Sequence, residues 1–224
     1  MVTGCSSGIG LEVSSKYIDL GYKVVGISRN PPSIPLHCHY SVDLTDQSTL
    51  SSVIGDIKSN FKSIHRFINC AGVMHTSSAL RIDYELMLET FQVNVLSPIF
   101  LTSSLTKNLS RGNASVIYVG SVASDLNING ELVYSASKAA LKKSLENFAV
   151  ELSRFGISFF NIQPAICESP MTSGLSDDSR SYMISKSLRS HLLTCADVAD
   201  FIISTANTDS LASGSSLYCG GICR

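Results

Sequence analysis

Residues 3–10 read Thr-Gly-Cys-Ser-Ser-Gly-Ile-Gly, and they connect a short apolar stretch, Met1–Thr3, to a helical stretch, Gly10–Leu20. Glycines at such a β–α junction let the backbone turn tightly and approach a phosphate, while the helix N-terminus offers free N–H groups and its positive dipole end. The Gly-x-x-x-Gly-x-Gly spacing differs from the common Gly-x-Gly-x-x-Gly dinucleotide fingerprint. The loop indicates a phosphate site, with a tight turn capped by serines as the alternative.

The rest of the chain alternates between two hydrophobic patterns. Short β-branched runs predict buried parallel strands, and these runs are Lys23–Ser28, Cys38–Val42, Ile64–Asn69, Ser115–Val119, Ile157–Ile162 and Ser215–Tyr218. Apolar side chains at i, i+3 and i+4 predict helices over Gly10–Leu20, Gln47–Phe61, Asp83–Leu109, Val133–Phe155 and Ala196–Ala206. The alternation predicts a doubly wound α/β fold in which residues 1–224 form one domain, with helices on both faces of a parallel sheet.

Three segments depart from this regular pattern. Only Met1–Thr3 precede the glycine loop, whereas buried strands usually have about five or six residues, so we expect that a few upstream residues are missing. The crossover over residues 29–37 is rich in proline and predicts a loop. Residues 169–190 are serine-rich and predict a mobile substrate flap. The second half of that flap carries apolar side chains at helical spacing, namely Tyr182, Met183, Ile184 and Leu188.

Composition and charge exclude several classes of protein. The chain has 224 residues, of which 44% are hydrophobic and 16% charged, as expected for a folded domain rather than a disordered one. A formal net charge of −1 offers no basic face for nucleic acid. No apolar run approaches the roughly 20 residues that span a bilayer, and the N-terminus does not resemble a secretory signal. We therefore expect a cytoplasmic protein that binds neither nucleic acid nor membrane.

The cysteines indicate neither a disulfide scaffold nor a zinc site. There are seven, an odd number, and they are widely spaced without a Cys-x-x-Cys pair. His37-Cys38-His39 looks like a ligand cluster, but neighbouring side chains of a strand point to opposite faces. We therefore expect a strand with one buried cysteine there, no bound metal, and a reducing compartment.

Tyr134 and Lys138 are separated by one helical turn. Positions i and i+4 share a helix face, so the ammonium group can lie near the phenol. Tyrosine, with a pKa near ~10, is a poor acid or base at neutral pH, but a nearby cation stabilises phenolate and lowers that pKa. The pair therefore predicts a tyrosine general acid, with a solvated helix face as the alternative.

Further motifs follow in a definite order along the chain. They are Asp43-Leu44-Thr45 after the third strand, Asn69-Cys70-Ala71-Gly72 after the fourth, Asn94 in a long helix and Ser121 after the fifth strand. Together with the glycine loop, Tyr134 and Lys138, this ordered set resembles the short-chain dehydrogenase/reductase family over nearly the whole chain.

The resemblance implies four catalytic residues. Tyr134 would protonate a carbonyl oxygen as hydride arrives, and Ser121 would hydrogen-bond that oxygen, with a turn serine as its alternative. Lys138 would bind the nicotinamide ribose hydroxyls and lower the pKa of Tyr134. Asn94 would hold a proton-relay water, with a helix-kink side chain as its alternative.

The resemblance also implies a set of cofactor-binding residues. Asp43 would accept a hydrogen bond from the adenine amine, with a helix N-cap as its alternative, and residues 164–169 would lie beside the nicotinamide. The whole set is Gly4, Ser6, Ser7, Gly8, Ile9, Gly10, Ser28, Arg29, Asp43, Leu44, Asn69, Ala71, Gly72, Tyr134, Lys138, Pro164, Cys167 and Ser169. Three departures from the family pattern spare the catalytic positions, namely Ala165 for glycine, Cys70 for asparagine, and Cys219-Gly220-Gly221 for Asp-Gly-Gly.

The end of the second strand predicts which dinucleotide binds. The chain has Ser28 and Arg29 there, with no Asp or Glu between Lys23 and Leu36. A carboxylate at this turn would repel a 2′-phosphate on the adenosine ribose, whereas an arginine accommodates it. The guanidinium and the Ser28 hydroxyl can both donate to phosphate. We therefore expect NADP(H) rather than NAD(H).

The expected function is reduction of a carbonyl group of a small metabolite, or oxidation of the alcohol, with NADP(H). Two alternatives are a 3-oxoacyl-thioester reductase and a catalytically silent dinucleotide sensor, against which the four intact catalytic residues argue. An epimerase or dehydratase of nucleotide sugars would need a larger C-terminal substrate domain. A homodimer or homotetramer is expected, since small residues on the Tyr134 helix, Ala136, Ala139 and Ala140, permit close helix packing.

Overall fold

The strands of the protein belong to two parallel sheets in the residues that our computed structural model describes, which are 1–174, 177–189, 191–208 and 212–221. They are β1 (Val2–Thr3), β2 (Val25–Ser28), β3 (Cys38–Ser41), β4 (Arg66–Asn69), β5 (Ser115–Val119), β6 (Ser158–Pro164), β7 (Cys167–Glu168), β8 (Leu193–Thr194) and β9 (Ser215–Cys219). The larger sheet has the order β3-β2-β1-β4-β5-β6-β9, and β7 pairs with β8. All pairings are parallel, which confirms the predicted sheet.

Seven α-helices connect the strands within the described residues. They are α1 (Gly8–Asp19), α2 (Gln47–Asn60), α3 (Tyr84–Phe91), α4 (Ser97–Arg111), α5 (Leu132–Leu152), α6 (Asp177–Lys186) and α7 (Cys195–Ala206). The prediction of one helix over residues 83–109 is wrong, because a π-helical turn, Gln92–Leu96, separates α3 from α4. The wider turn is held by the Ser97 hydroxyl, which bonds the carbonyl oxygens of Gln92 at 2.8 Å and Leu44 at 2.7 Å.

Helices cover both faces of the larger sheet, and each face has its own hydrophobic core. Helices α2, α4 and α5 contribute to one core through residues such as Leu105 and Leu141. Helices α1 and α7 contribute to the other through residues such as Ile202. Successive residues of β6 show the division, because Phe159 belongs to the first core and Phe160 to the second. The doubly wound architecture is therefore confirmed.

The path of the chain reverses at β1. From β1 the chain runs outward to β2 and β3, then returns to β4 on the other side of β1. Ligands of doubly wound folds bind at the carboxyl ends of the strands beside such a reversal. The crossover over residues 29–37 contains no helix or strand, as its prolines predicted. The fold thus opens a crevice where β1 and β4 end.

The predicted flap, residues 169–190, contains α6 and lies between β7 and β8. The predicted apolar face is wrong at Leu188, because α6 ends at Lys186 and Leu188 is 70% exposed. Residues 175, 176 and 190 lie outside the described residues, and the mobility of the flap stays a prediction.

The described ranges contain no disulfide bond, no candidate membrane span and no candidate metal cluster. The six cysteines described there are free thiols, Cys38 being half-buried in the edge strand β3 rather than buried. Cys223 lies outside those ranges. None of the described helices is both long and apolar enough to span a bilayer, and no described cluster of three or more His, Cys, Asp or Glu could hold a metal.

Candidate active site

A cavity of about 380 Å³ lies at the carboxyl edge of the larger sheet, a size typical of small-molecule sites. Nearly all the residues predicted from sequence line it, namely Gly4, Ser6, Ser7, Gly8, Ile9, Gly10, Ser28, Arg29, Asp43, Leu44, Ala71, Gly72, Ser121, Tyr134, Lys138, Pro164, Cys167 and Ser169. Asn69 and Asn94 are not in the lining. The fold therefore brings together side chains that stand more than 160 positions apart in the sequence.

The glycine loop presents backbone N–H groups to the cavity. Helix α1 begins at Gly8, and its N-cap residue, Ser7, makes no side-chain capping bond, so the alternative of a turn capped by serines is wrong. A Cβ atom at Gly10 would lie 2.2 Å from the Gly4 carbonyl oxygen, so the loop can close only with glycine there. The first-turn N–H groups remain available for an anion, and this arrangement fits the diphosphate of a dinucleotide.

Asn69 supports the loop rather than lining the cavity. It is fully buried, and its Oδ1 accepts a hydrogen bond from Thr3 Oγ1 at 2.8 Å. The same Thr3 oxygen accepts from the Ala71 N–H at 3.2 Å. The amide oxygen of Asn69 thus ties the end of β4 to β1, while its Nδ2 has no protein partner among the described residues, and contact of Asn69 with the cofactor stays a prediction.

Asn94 occupies the π-helical turn and is fully buried. Its Oδ1 accepts from the Val73 N–H at 2.9 Å, and its Nδ2 donates to the Val73 carbonyl oxygen at 2.9 Å and to Ser137 Oγ at 3.0 Å. The side chain thus fastens the loop at residue 73 to α5, as the helix-kink alternative describes. A role in holding a relay water stays a prediction.

Ser121 and Tyr134 meet in the wall of the cavity. Ser121 follows β5, and its Oγ accepts a hydrogen bond from the Ala123 N–H at 3.1 Å, so the alternative of a turn serine also describes it. Tyr134 lies in the first turn of α5 and is buried. Burial raises the pKa of Tyr134 to about 12, and hydrogen bonding with Ser121 opposes that rise. At neutral pH the phenol is therefore protonated.

Lys138 lies on the same helix face as Tyr134, as the i, i+4 spacing predicted. Its Nζ is 5.7 Å from the centre of the Tyr134 ring and donates to the Val119 carbonyl oxygen at 2.9 Å. Burial lowers the pKa of Lys138 to about 8. The pKa of Tyr134 is set by burial, which raises it, and by hydrogen bonding with Ser121, which lowers it, so a lowering of that pKa by Lys138 stays a prediction.

At the adenosine end, Arg29 is exposed at the cavity rim, whereas Ser28 is committed to the interior. The Ser28 hydroxyl donates to the Asn30 carbonyl oxygen at 2.8 Å and lies 2.9 Å from His39 Nε2. It also lies 3.1 Å from Cys5 Sγ. Because these partners occupy the Ser28 hydroxyl, its expected donation to a 2′-phosphate is corrected, and Arg29 remains for that role.

Asp43 forms a local turn at the same end of the cavity. Its Oδ1 accepts from the Thr45 N–H at 2.9 Å and the Thr45 hydroxyl at 2.8 Å. These bonds, and after them the charge of Arg29, lower the pKa of Asp43. The alternative role of Asp43 as a helix N-cap is wrong, since Asp46 caps α2. Contact of Asp43 with adenine stays a prediction.

The opposite end is formed by residues after β6. Pro164 ends β6, Cys167 belongs to β7, and the Ser169 N–H donates to Thr172 Oγ1 at 3.1 Å. Ala165 stands where the family has glycine. Its side chain has room because it packs against Gly220, which has no Cβ atom. A Cβ atom on Gly220 would lie only 3.0 Å from that of Ala165.

Sequence reasoning missed much of the remaining wall. The missed residues include Met74, Glu89, Val93, Leu126, Ile128, Glu131, Met171 and Thr172. The apolar members have the spacing of ordinary core residues, and nothing in their own pattern marks them. Glu131 carried one usable signal, because it stands only three residues before Tyr134.

Comparisons with known proteins agree with this geometry. The family model described as short chain dehydrogenase matches residues 1–180. The 3-oxoacyl-acyl-carrier-protein reductase FabG of Salmonella typhimurium is 24% identical over 99% of this chain and 95% of its own. Carbonyl reductase family member 4 of Danio rerio is 26% identical over 80% of this chain and 79% of its own.

Solved structures show the same fold. The structure of ElxO with NADP bound superposes with a TM-score of 0.85 at 21% identity, covering 97% of this chain and 95% of that one. The extent of the family match, over residues 1–180, leads to one conclusion. The chain belongs to the short chain dehydrogenase family of oxidoreductases.

Proposed function

We propose that the protein reduces a carbonyl group of a small molecule, or oxidises the corresponding alcohol, with NADP(H) as the cofactor. One observation carries the proposal: Ser121, Tyr134 and Lys138 line the same cavity as the glycine loop. A dinucleotide whose diphosphate lay on the loop would therefore run toward the Tyr134 phenol.

The side chains have protonation states suited to this chemistry. The bound cofactor supplies the hydride. Tyr134, with a pKa raised to about 12 by burial, carries the proton that a carbonyl oxygen requires as it becomes a hydroxyl. The Ser121 hydroxyl orients that oxygen toward the phenol. Lys138, with a pKa of about 8, is mainly an ammonium ion at neutral pH and can donate to ribose hydroxyls.

Arg29 supports NADP(H) over NAD(H). It is exposed at the rim where the adenosine ribose would lie, and a guanidinium can make two charge-assisted bonds to a 2′-phosphate. A related fold binds NADP in the ElxO structure.

The relatives favour one substrate class for testing. Because a 3-oxoacyl-acyl-carrier-protein reductase matches almost the whole chain, 3-oxoacyl thioesters belong in the substrate panel beside simple ketones. The silent-sensor alternative stays disfavoured, since a protein that only bound a dinucleotide would not require Tyr134 and Ser121 together in the cavity.

The test is a panel of carbonyl compounds with NADPH or NADH, followed by absorbance of the reduced cofactor. We expect oxidation of NADPH with at least one ketone or thioester, and slower reaction with NADH. A protein that binds NADPH yet oxidises it with no carbonyl of the panel, and reduces NADP⁺ with none of the matching alcohols, would contradict the proposal.

We also propose a homodimer or homotetramer. The helices α4 and α5 that would pair carry exposed apolar side chains, among them Phe100 at 37% and Leu132 at 53% exposure. Light scattering on the purified protein measures the assembly directly, and a monomeric mass at micromolar concentration would contradict this part of the proposal.

A further inference from the structure

Glu131 is a buried carboxylic acid that the proposed reaction does not use. It precedes α5 as the N-cap residue, it is only 2% exposed, and it lines the cavity. Tyr134 stands three positions further along the chain, and the charge of Glu131 is near enough to raise the pKa of Tyr134. The carboxyl group is therefore close to where the reacting carbonyl would lie.

No protein group within the described ranges satisfies this carboxyl. As the N-cap residue of α5, Glu131 makes no side-chain capping bond. The ion pairs of those ranges involve other residues. Burial alone raises the pKa of Glu131 to about 7. Buried carboxyl groups without a hydrogen-bond partner are unfavourable and rare in folded proteins, so a ligand is the natural source of the missing partner.

Three other charged groups that line the same cavity are engaged elsewhere. Glu89 pairs with His75 at 3.0 Å. Lys138 donates to a backbone carbonyl, and the Lys186 ammonium lies 5.7 Å from the centre of the Tyr182 ring. Among the described residues near Tyr134, Glu131 therefore has the carboxyl group that remains available to bind a substrate in the cavity.

We propose that Glu131 binds a hydrogen-bond donor of the substrate, a hydroxyl or ammonium group one or two carbons from the reacting carbonyl. This inference rests on the proposed function and specifies its substrate class. Either the hydroxyl or the ammonium group can donate a hydrogen bond to the carboxyl group of Glu131. An ammonium group prefers the ionised form, whereas a hydroxyl bonds either protonation state.

Three small ketones that differ in the substituent beside the carbonyl test the inference with NADPH. Hydroxyacetone offers a hydroxyl donor, aminoacetone an ammonium group, and methoxyacetone neither. We expect wild-type kcat/KM to be roughly tenfold or more higher for a donor ketone than for methoxyacetone, one charge-assisted bond corresponding to about that factor. The variant E131L should lower this ratio toward one.

Two further variants sharpen the test. E131Q keeps hydrogen bonding without charge, so it should retain the preference for a hydroxyl and lose any preference for an ammonium group. Glu151, exposed on the same helix away from the cavity, supplies the matched control, because E151Q should leave every ratio unchanged. Equal ratios in wild type and E131L would overturn the inference while leaving the reductase proposal intact.

A second measurement decides the inference if none of these ketones is turned over. The shift in melting temperature with NADP⁺ is compared for propane-1,2-diol, 1-aminopropan-2-ol and 1-methoxypropan-2-ol, the alcohols of the three ketones. The inference is supported if propane-1,2-diol or 1-aminopropan-2-ol gives a larger shift than 1-methoxypropan-2-ol in wild type and this difference is absent in E131L. Equal shifts for all three alcohols would refute it. The carbonyl panel described above decides the proposed function separately.

Discussion

The glycine loop and the wall around Glu131 line the same cavity, yet they offer different groups to a ligand. The loop presents backbone N–H groups at the start of α1, held by a close approach between Gly10 and Gly4. The wall presents side chains from the loop after β4, from α3, from the start of α5 and from α6. We call these two regions the phosphate half and the substrate half.

The difference shows why a family can keep one cofactor and change its substrate. Backbone groups are independent of residue type, apart from the glycines that let the chain approach closely. Side chains such as Glu131, Met74 and Tyr182 can be exchanged without moving the sheet. Substitutions in each half should change either cofactor binding or substrate use, and the expected effects decrease from Tyr134 to Arg29.

Tyr134 stands at the boundary between the halves, and its substitution should have the largest effect. Y134F removes the proton donor but keeps the ring, so kcat should fall by about 10²–10⁴-fold, the range of general acid catalysis. Affinity for NADPH, measured by fluorescence titration, should remain. Comparable turnover by wild type and Y134F would reject the assignment of Tyr134.

Gly10 tests the phosphate half alone. In G10A the new Cβ would collide with the Gly4 carbonyl oxygen, 2.2 Å away, and displace the loop. If two charge-assisted contacts are lost, NADPH affinity falls by at least about a hundredfold. The control is G55A, because Gly55 has no atom within 4 Å of its added Cβ and alanine should stabilise α2 by about 1 kcal/mol. Unchanged NADPH affinity in G10A would show that the loop does not hold the cofactor.

Glu131 tests the substrate half through the pH dependence of stability. Its pKa is about 7 in the folded protein against an ordinary value of 4.5. The folded state therefore binds more protons between these values, and the free energy of unfolding falls as pH rises from 4.5 to about 7. Relative to E131Q, wild type should lose on the order of 3 kcal/mol over this interval. Urea unfolding of both proteins across the interval measures it, and parallel pH profiles would contradict a buried, unpartnered carboxyl.

Arg29 lies at the outer edge of the phosphate half, where a smaller effect is expected. R29A should weaken NADPH binding by roughly tenfold to a hundredfold, as expected for one charged contact of about 1.5–3 kcal/mol, and leave NADH binding nearly unchanged. R81A, which changes another exposed arginine outside the cavity, is the control. Equal affinity of the wild type for both cofactors would overturn the preference for NADP(H).

The sequence predicted the phosphate half more completely than the substrate half. Motifs there are contiguous, so the loop at residues 3–10 was recognised from its glycine spacing, and Asp43 was recognised through the family resemblance. The substrate half draws on residues as far apart as Met74 and Lys186, and their pattern resembles that of any core. Even in the phosphate half, the interior bonds of the Ser28 hydroxyl could not be predicted, because its partners Cys5 and His39 are distant in sequence.

Local sequence patterns were enough to predict the alternation of strands and helices, the glycine loop and the shared helix face of Tyr134 and Lys138. These features follow from backbone sterics and from periods of two and 3.6 residues, which act between near neighbours. The raised pKa of Tyr134, the inward bonding of Asn69 and the isolation of Glu131 depend instead on the assembled fold. Burial and hydrogen-bond partners set those properties, and both come from segments that meet only when the sheet assembles.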